Sequence, residues 1–70
     1  MTWKDYPEPV KMGSGCKVGW MYYSNLDDAE ECSRLARLEA GRKASDGYDF
    51  GYQVPGEITK QDNLFKVVIP

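Results

Sequence analysis

The sequence predicts a small α+β domain of β-α-β-β order, with one amphipathic helix packed on a three- to four-stranded mixed or antiparallel sheet. Three observations carry this prediction. Residues 24–47 combine a helix-capping signal, helical periodicity and a closing glycine. Residues 17–23 have the β-branched and aromatic composition of a strand. Residues 48–54 alternate apolar and polar, and 64–69 are a short apolar run, with turn residues between the two segments.

Residues 1–15 read as an N-terminal arm, and 16–70 as a single domain. Pro7 and Pro9 fix two φ angles, Met12-Gly13-Ser14-Gly15 is a flexible joint, and Trp3 and Tyr6 are the large apolar groups that pin the arm. In the strand 17–23, Val18, Trp20 and Tyr22 share one face and Gly19, Met21 and Tyr23 the other. Both faces carry apolar groups, so this strand is expected at the centre of the sheet, covered at least partly on each side.

The helix follows. Ser24 or Asn25 caps it, Asp27 and Asp28 crowd its first turn, Arg42 and Lys43 sit near its last, and Gly47 takes the left-handed position beyond its end. Glu30 with Arg34, and Glu39 with Lys43, are spaced for ion pairs. Ala29, Cys32, Ser33, Ala36, Ala40 and Ala44 fall on one face, a stripe of small residues that lets the helix lie close to a sheet with large side chains. Leu38 points almost opposite that stripe with Leu35 on its flank, a modest candidate patch.

Tyr48, Phe50, Tyr52 and Val54 alternate with Asp49, Gly51 and Gln53, the pattern of a half-buried strand. A strand, a helix and a second strand favour parallel pairing of 17–23 with 48–54. Pro55-Gly56 is a turn, Glu57-Ile58-Thr59 a short strand, Gln61-Asp62-Asn63 a polar turn, and 64–69 the last strand, closing an antiparallel hairpin.

Composition narrows the function. The net charge of −2 arises from eleven acidic and nine basic residues, interleaved. No stretch supplies the basic face that nucleic-acid binding needs. No apolar run approaches the roughly 20 residues of a membrane span, and the N-terminus lacks the apolar core of a signal peptide, so a cytoplasmic location is the default. The chain has no histidine, which removes the commonest general base near neutral pH. Cys16 and Cys32 are too few for a structural zinc site. Strand and helix rises place them on the order of 10–15 Å apart, beyond disulfide reach, so both are expected as free thiols. Gly13-Ser14-Gly15 lacks the spacing and the Lys-Ser/Thr ending of a phosphate loop. No cofactor and no enzyme activity are expected.

What remains is binding. Tyr48, Asp49, Phe50, Tyr52, Gln53 and Glu57 form one candidate surface, with stackable rings beside polar groups. The rings themselves are expected to pack against Ala36 and Ala40, with the tyrosine hydroxyls still reaching the rim. Leu35 and Leu38 form the second candidate surface. The expected function is a small non-enzymatic protein that blocks or adapts a protein partner. The alternatives are a dimeric protein that sequesters a small ligand along 48–54, and a minor structural subunit of an assembly. A domain this size buries only about 60% of its unfolded surface, and a symmetric homodimer is the commonest way to cover the remaining apolar groups. The layout of a strand, a helix opening Leu26-Asp27-Asp28-Ala29-Glu30 and a Gly47-Tyr48 entry to the next segment resembles that of several small phage-encoded inhibitors of host proteins. That resemblance implies an inhibitor and assigns no residue a role.

Overall fold

A computed structural model describes residues 6–15 and 17–70. Trp3 and Cys16 lie outside them, and with them the expected pinning by Trp3 and the state of the Cys16 thiol. The elements are β1 (Lys11–Ser14), β2 (Gly19–Tyr23), α1 (Leu26–Ser45), β3 (Ile58–Gln61) and β4 (Leu64–Ile69). The sheet has four strands in the order β1-β2-β4-β3, and every neighbouring pair is antiparallel. The fold is therefore the small α+β arrangement that the sequence predicts.

The helix begins where the capping chemistry puts it. Asn25 is the N-cap, its Oδ1 accepting from the Asp28 N–H at 2.8 Å while its Nδ2 donates back to Asp28 Oδ2 at 3.0 Å. Gly47 has φ +89° and donates to the Ala44 carbonyl, and the Tyr48 N–H reaches the Lys43 carbonyl. These two bonds satisfy helix-end carbonyls, and only glycine takes that φ without strain. Both ion pairs found on the helix are three residues apart, where a spacing of four was expected. Arg34 pairs with Glu31 at 2.6 Å, and Arg42 reaches Glu39 at 3.4 Å. The first pair is exposed, and in the second Arg42 is open to solvent beside a half-buried Glu39, so both contribute little stability.

The small stripe does face the sheet. Ala29, Cys32, Ser33 and Ala36 are buried, whereas Ala40 is half-buried and Ala44 exposed, so contact fades over the last two turns. Opposite the stripe stand Met21 and Tyr23 of β2 and Val67 and Ile69 of β4, which form one cluster with Ala29, Cys32 and Ala36. Tyr6, Ile58 and Phe65 pack at its border. Tyr23 also donates its hydroxyl to the Pro7 carbonyl at 2.8 Å, tying the N-terminal segment to the core. Burial pushes the Tyr23 phenol far above its ordinary range and raises the Cys32 thiol as well.

Three expectations are corrected. Residues 48–54 are not a strand. Gly47 and Gly51, both at positive φ, and the Pro55-Gly56 turn break the extended backbone that the alternation suggested. The parallel pairing with β2 therefore does not form, and β4 occupies that place through five antiparallel register pairs. β2 and β3, the strands joined through α1, run in the same direction with β4 between them. Finally, the segment read as an arm contributes β1. Its Gly13 lies beneath the Trp20 indole, where a Cβ would stand 2.7 Å from Nε1.

The chain reaches β3 through a turn with its own logic. Val54-Pro55-Gly56-Glu57 closes with the Glu57 N–H on the Val54 carbonyl at 3.0 Å, and Gly56 has φ +90°. Proline at the second position and a left-handed glycine at the third make a type II turn. The Gly56 N–H bonds to the Val68 carbonyl while the Val68 N–H bonds to the Glu57 carbonyl, so two residues oppose one in a glycine bulge. Gly56 is fixed twice, because a Cβ there would also meet Arg37 Cγ at 2.6 Å. The β3–β4 hairpin turns on Asp62 and Asn63, at φ 52° and 66°, a two-residue type I′ loop.

Two outcomes follow. Ala36→Leu should lower stability by about 1–3 kcal/mol through overpacking, whereas Ala44→Leu should stay within about 0.5 kcal/mol. Urea unfolding of both variants tests this, and equal effects would mean that the stripe does not fit closely against β2 and β4. In a Cys16→Ser variant, Cys32 should react slowly with a thiol reagent in the native state and promptly in denaturant without reductant. Rapid native labelling would contradict its burial.

Candidate functional site

The loop between α1 and β3 gathers most of the predicted site residues. Its brace combines local turns with contacts to Lys17 before β2. Asp49 Oδ1 accepts from the Gly51 N–H at 2.8 Å, and Gln53 N–H bonds to the Phe50 carbonyl at 3.3 Å, so the loop folds back on itself twice. The Tyr48 hydroxyl donates to the Lys17 carbonyl, and Lys17 Nζ stands 3.7 Å from Asp49 Oδ2. The Tyr48 and Phe50 rings meet at 4.7 Å between centroids, and Lys43 Nζ lies 5.1 Å over the Tyr48 ring. The Gly51 N–H first, and then Lys17, hold the Asp49 carboxyl below its usual range.

These contacts tie the loop to the entry of β2 and leave its outer side uncovered. Tyr52 is fully exposed, and Val54 and Tyr48 are also open to solvent. The expectation that Tyr48, Phe50 and Tyr52 pack against Ala36 and Ala40 is therefore overturned. The loop must cross the end of the sheet to reach the far edge strand, which carries its rings away from the helix stripe. Between loop and sheet runs a cleft of about 360 Å³ with Trp20, Phe50 and Tyr52 as its aromatic lining, Lys17 and Gln53 as its polar groups and Val18 at the β2 entry. Asp49 stands beside this cleft as a brace, while Glu57 belongs to the bulge leading into β3.

Trp20 is the residue that sequence reasoning did not assign to the site. Strand alternation already separated it from Met21 and Tyr23, but nothing local showed that the loop would come to lie beside it. Its face of the sheet carries the cross-strand row Lys11–Tyr22–Lys66, opposite the helix. Lys11 Nζ lies 4.7 Å over the Tyr22 ring and Lys66 Nζ 4.9 Å over the Trp20 ring.

The second candidate surface divides. Leu38, 54% exposed, lines a groove between α1 and β3 with Ile58, Ser33, Arg34 and Arg37, whereas Leu35 is half-buried and outside the groove. Among the described residues, no group of three or more His, Cys, Asp or Glu side chains is placed to hold a metal ion, and no helix is long and apolar enough to cross a membrane. Comparison of the chain with protein-family models, curated proteins and solved structures gave no match.

The Asp49 brace has a pH signature. A carboxyl whose folded pKa is depressed stabilises the loop fully above its unfolded value, and that contribution is lost as pH falls through the lower folded value. The Gly51 amide resonance should accordingly titrate with a midpoint below 3.8, the ordinary value for the group. Lys17→Met should move that midpoint upward, and an unmoved midpoint would show that Lys17 contributes no attraction.

Proposed function

We propose that this chain is a small non-enzymatic binding protein that blocks or adapts a partner protein, and that the partner docks on the loop 48–54 and the cleft beside Trp20. The observation that carries the reading is the full exposure of Tyr52 on a loop braced by Asp49, Lys17 and Tyr48. Tyrosine and tryptophan supply large contact area with few rotatable bonds and dominate binding hot spots. A loop already held in one shape loses less conformational entropy on docking than a mobile one. The chain has no histidine to serve as a general base, which supports binding over catalysis.

A second reading has its own observation. A cleft of about 360 Å³ with three aromatic rings falls in the size range of small-molecule sites. A planar ligand seated there would make the chain a sequestering protein. Native mass spectrometry of the protein as purified from cells separates the two, since a retained small molecule favours the cleft and a stoichiometric polypeptide favours docking.

Tyr52→Ala is the direct test, because removing a fully exposed ring leaves the core untouched. Its urea midpoint should match the parent protein's, while affinity for a partner captured on the immobilised chain should fall by about 1–3 kcal/mol. Leu38→Asp should keep that affinity. A partner that tolerates Tyr52→Ala and is lost with Leu38→Asp would move the site to the helix.

A further inference from the structure

We propose that the groove between α1 and β3 receives an extended, acidic segment of a partner polypeptide, which adds to the sheet as a fifth strand along β3. This surface shares no lining residue with the cleft at Trp20, so the proposal stands apart from the role of Tyr52.

β3 is an edge strand. The two-residue turn at Asp62-Asn63 makes Gln61 and Leu64 a hydrogen-bonded pair, and in an antiparallel ladder such pairs alternate. Thr59 therefore faces β4 with its backbone groups, as the Glu57 carbonyl does in accepting from Val68. Ile58 and Lys60 turn their N–H and C=O groups outward. Two outward residues present two donors and two acceptors, the row that strand addition uses.

The groove lies alongside this edge and holds about 430 Å³. Leu38 and the partly buried Ile58 are its apolar lining, suited to alternate side chains of an added strand. Its charge is uneven. Arg34 is occupied by Glu31, but Arg37 has no ion pair among the described residues, and its stem lies over Gly56 so that the guanidinium is held at the groove. Lys60 shares the helix-side face of β3 with Ile58. Against these two cations stands one lining acid, Glu30. An incoming strand with carboxylates between apolar residues matches both the backbone row and this charge.

The probe is a fluorescein-labelled peptide of alternating Glu and Val, followed by fluorescence anisotropy on the full chain at low salt. Saturable binding below about 1 mM is expected, with the Lys-Val peptide of equal length at least about tenfold weaker. Arg37→Gln, Leu38→Asp and Lys60→Pro should each weaken binding by about tenfold, the last by deleting an outward N–H that β4 does not use. Methylating alternate backbone nitrogens of the peptide should abolish binding with the protein unaltered, which keeps the strand-addition step testable even where a variant loses stability. Tyr52→Ala should bind the peptide like the parent. The proposal is overturned if the Glu-Val peptide does not bind, if the Lys-Val peptide binds equally, or if the N-methylated peptide or the Arg37→Gln and Leu38→Asp variants bind unchanged.

Discussion

The structure depends on one close contact, between a helix face of small residues and a two-strand platform of large ones. Ala29, Cys32 and Ala36 let α1 settle onto Met21, Tyr23, Val67 and Ile69, and together these seven form the buried core. A larger residue at any of the three helix positions would lift α1 from β2 and β4, exposing apolar area at about 25 cal/mol per Å². Among the described residues one helix stands against four strands, so only one face of the sheet is covered this way. The other face shields Trp20 and Tyr22 with the stems and ammonium groups of Lys66 and Lys11.

That single contact also dictates what lies outside. Because β4 fills the place beside β2, the chain leaving α1 must travel past the end of the sheet before it can form β3. Its path is made from local devices: the left-handed Gly47, the Asp49 side chain folded onto Gly51, and the type II turn at Pro55-Gly56 with its bulge against Val68. Each device satisfies backbone groups that a strand would have paired, so the loop holds its shape without a sheet partner. The rings it carries have no core to enter. Tyr52 is left in solvent as a consequence of topology, and the fixed loop turns that exposure into a shaped surface.

The two proposed binding surfaces follow from the same economy of elements. One sits where the loop meets the entry of β2, the other where α1 overhangs the free edge of β3. They use different physics: aromatic area at the first, backbone hydrogen bonds and a guanidinium with no ion pair among the described residues at the second. A chain with two unlike surfaces on one small core suits a protein that adapts one partner to another, and either surface alone suits one that blocks.

The sequence by itself determined a set of features whose local signals agree with one another. The N-cap at Asn25, the helix end at Gly47, the small stripe, the strand at 64–69 and the turn after Gln61 are each written in adjacent residues, and each appears in the structure. It also singled out the ring-bearing segment 48–54 as a surface, though for an arrangement it does not adopt. Apart from the β3–β4 hairpin, which its turn residues set, tertiary structure decided which segments pair. Residues 11–14 read as a flexible joint and 48–54 as a strand, yet it is 11–14 that found a free ladder beside β2. β1 lies against β2 with Gly13 accommodating Trp20, while β4 takes the opposite edge of β2, so no place remained for 48–54. Strand pairing is a competition among distant segments for the same backbone hydrogen bonds, and an alternating pattern records a tendency to extend without recording who wins that competition.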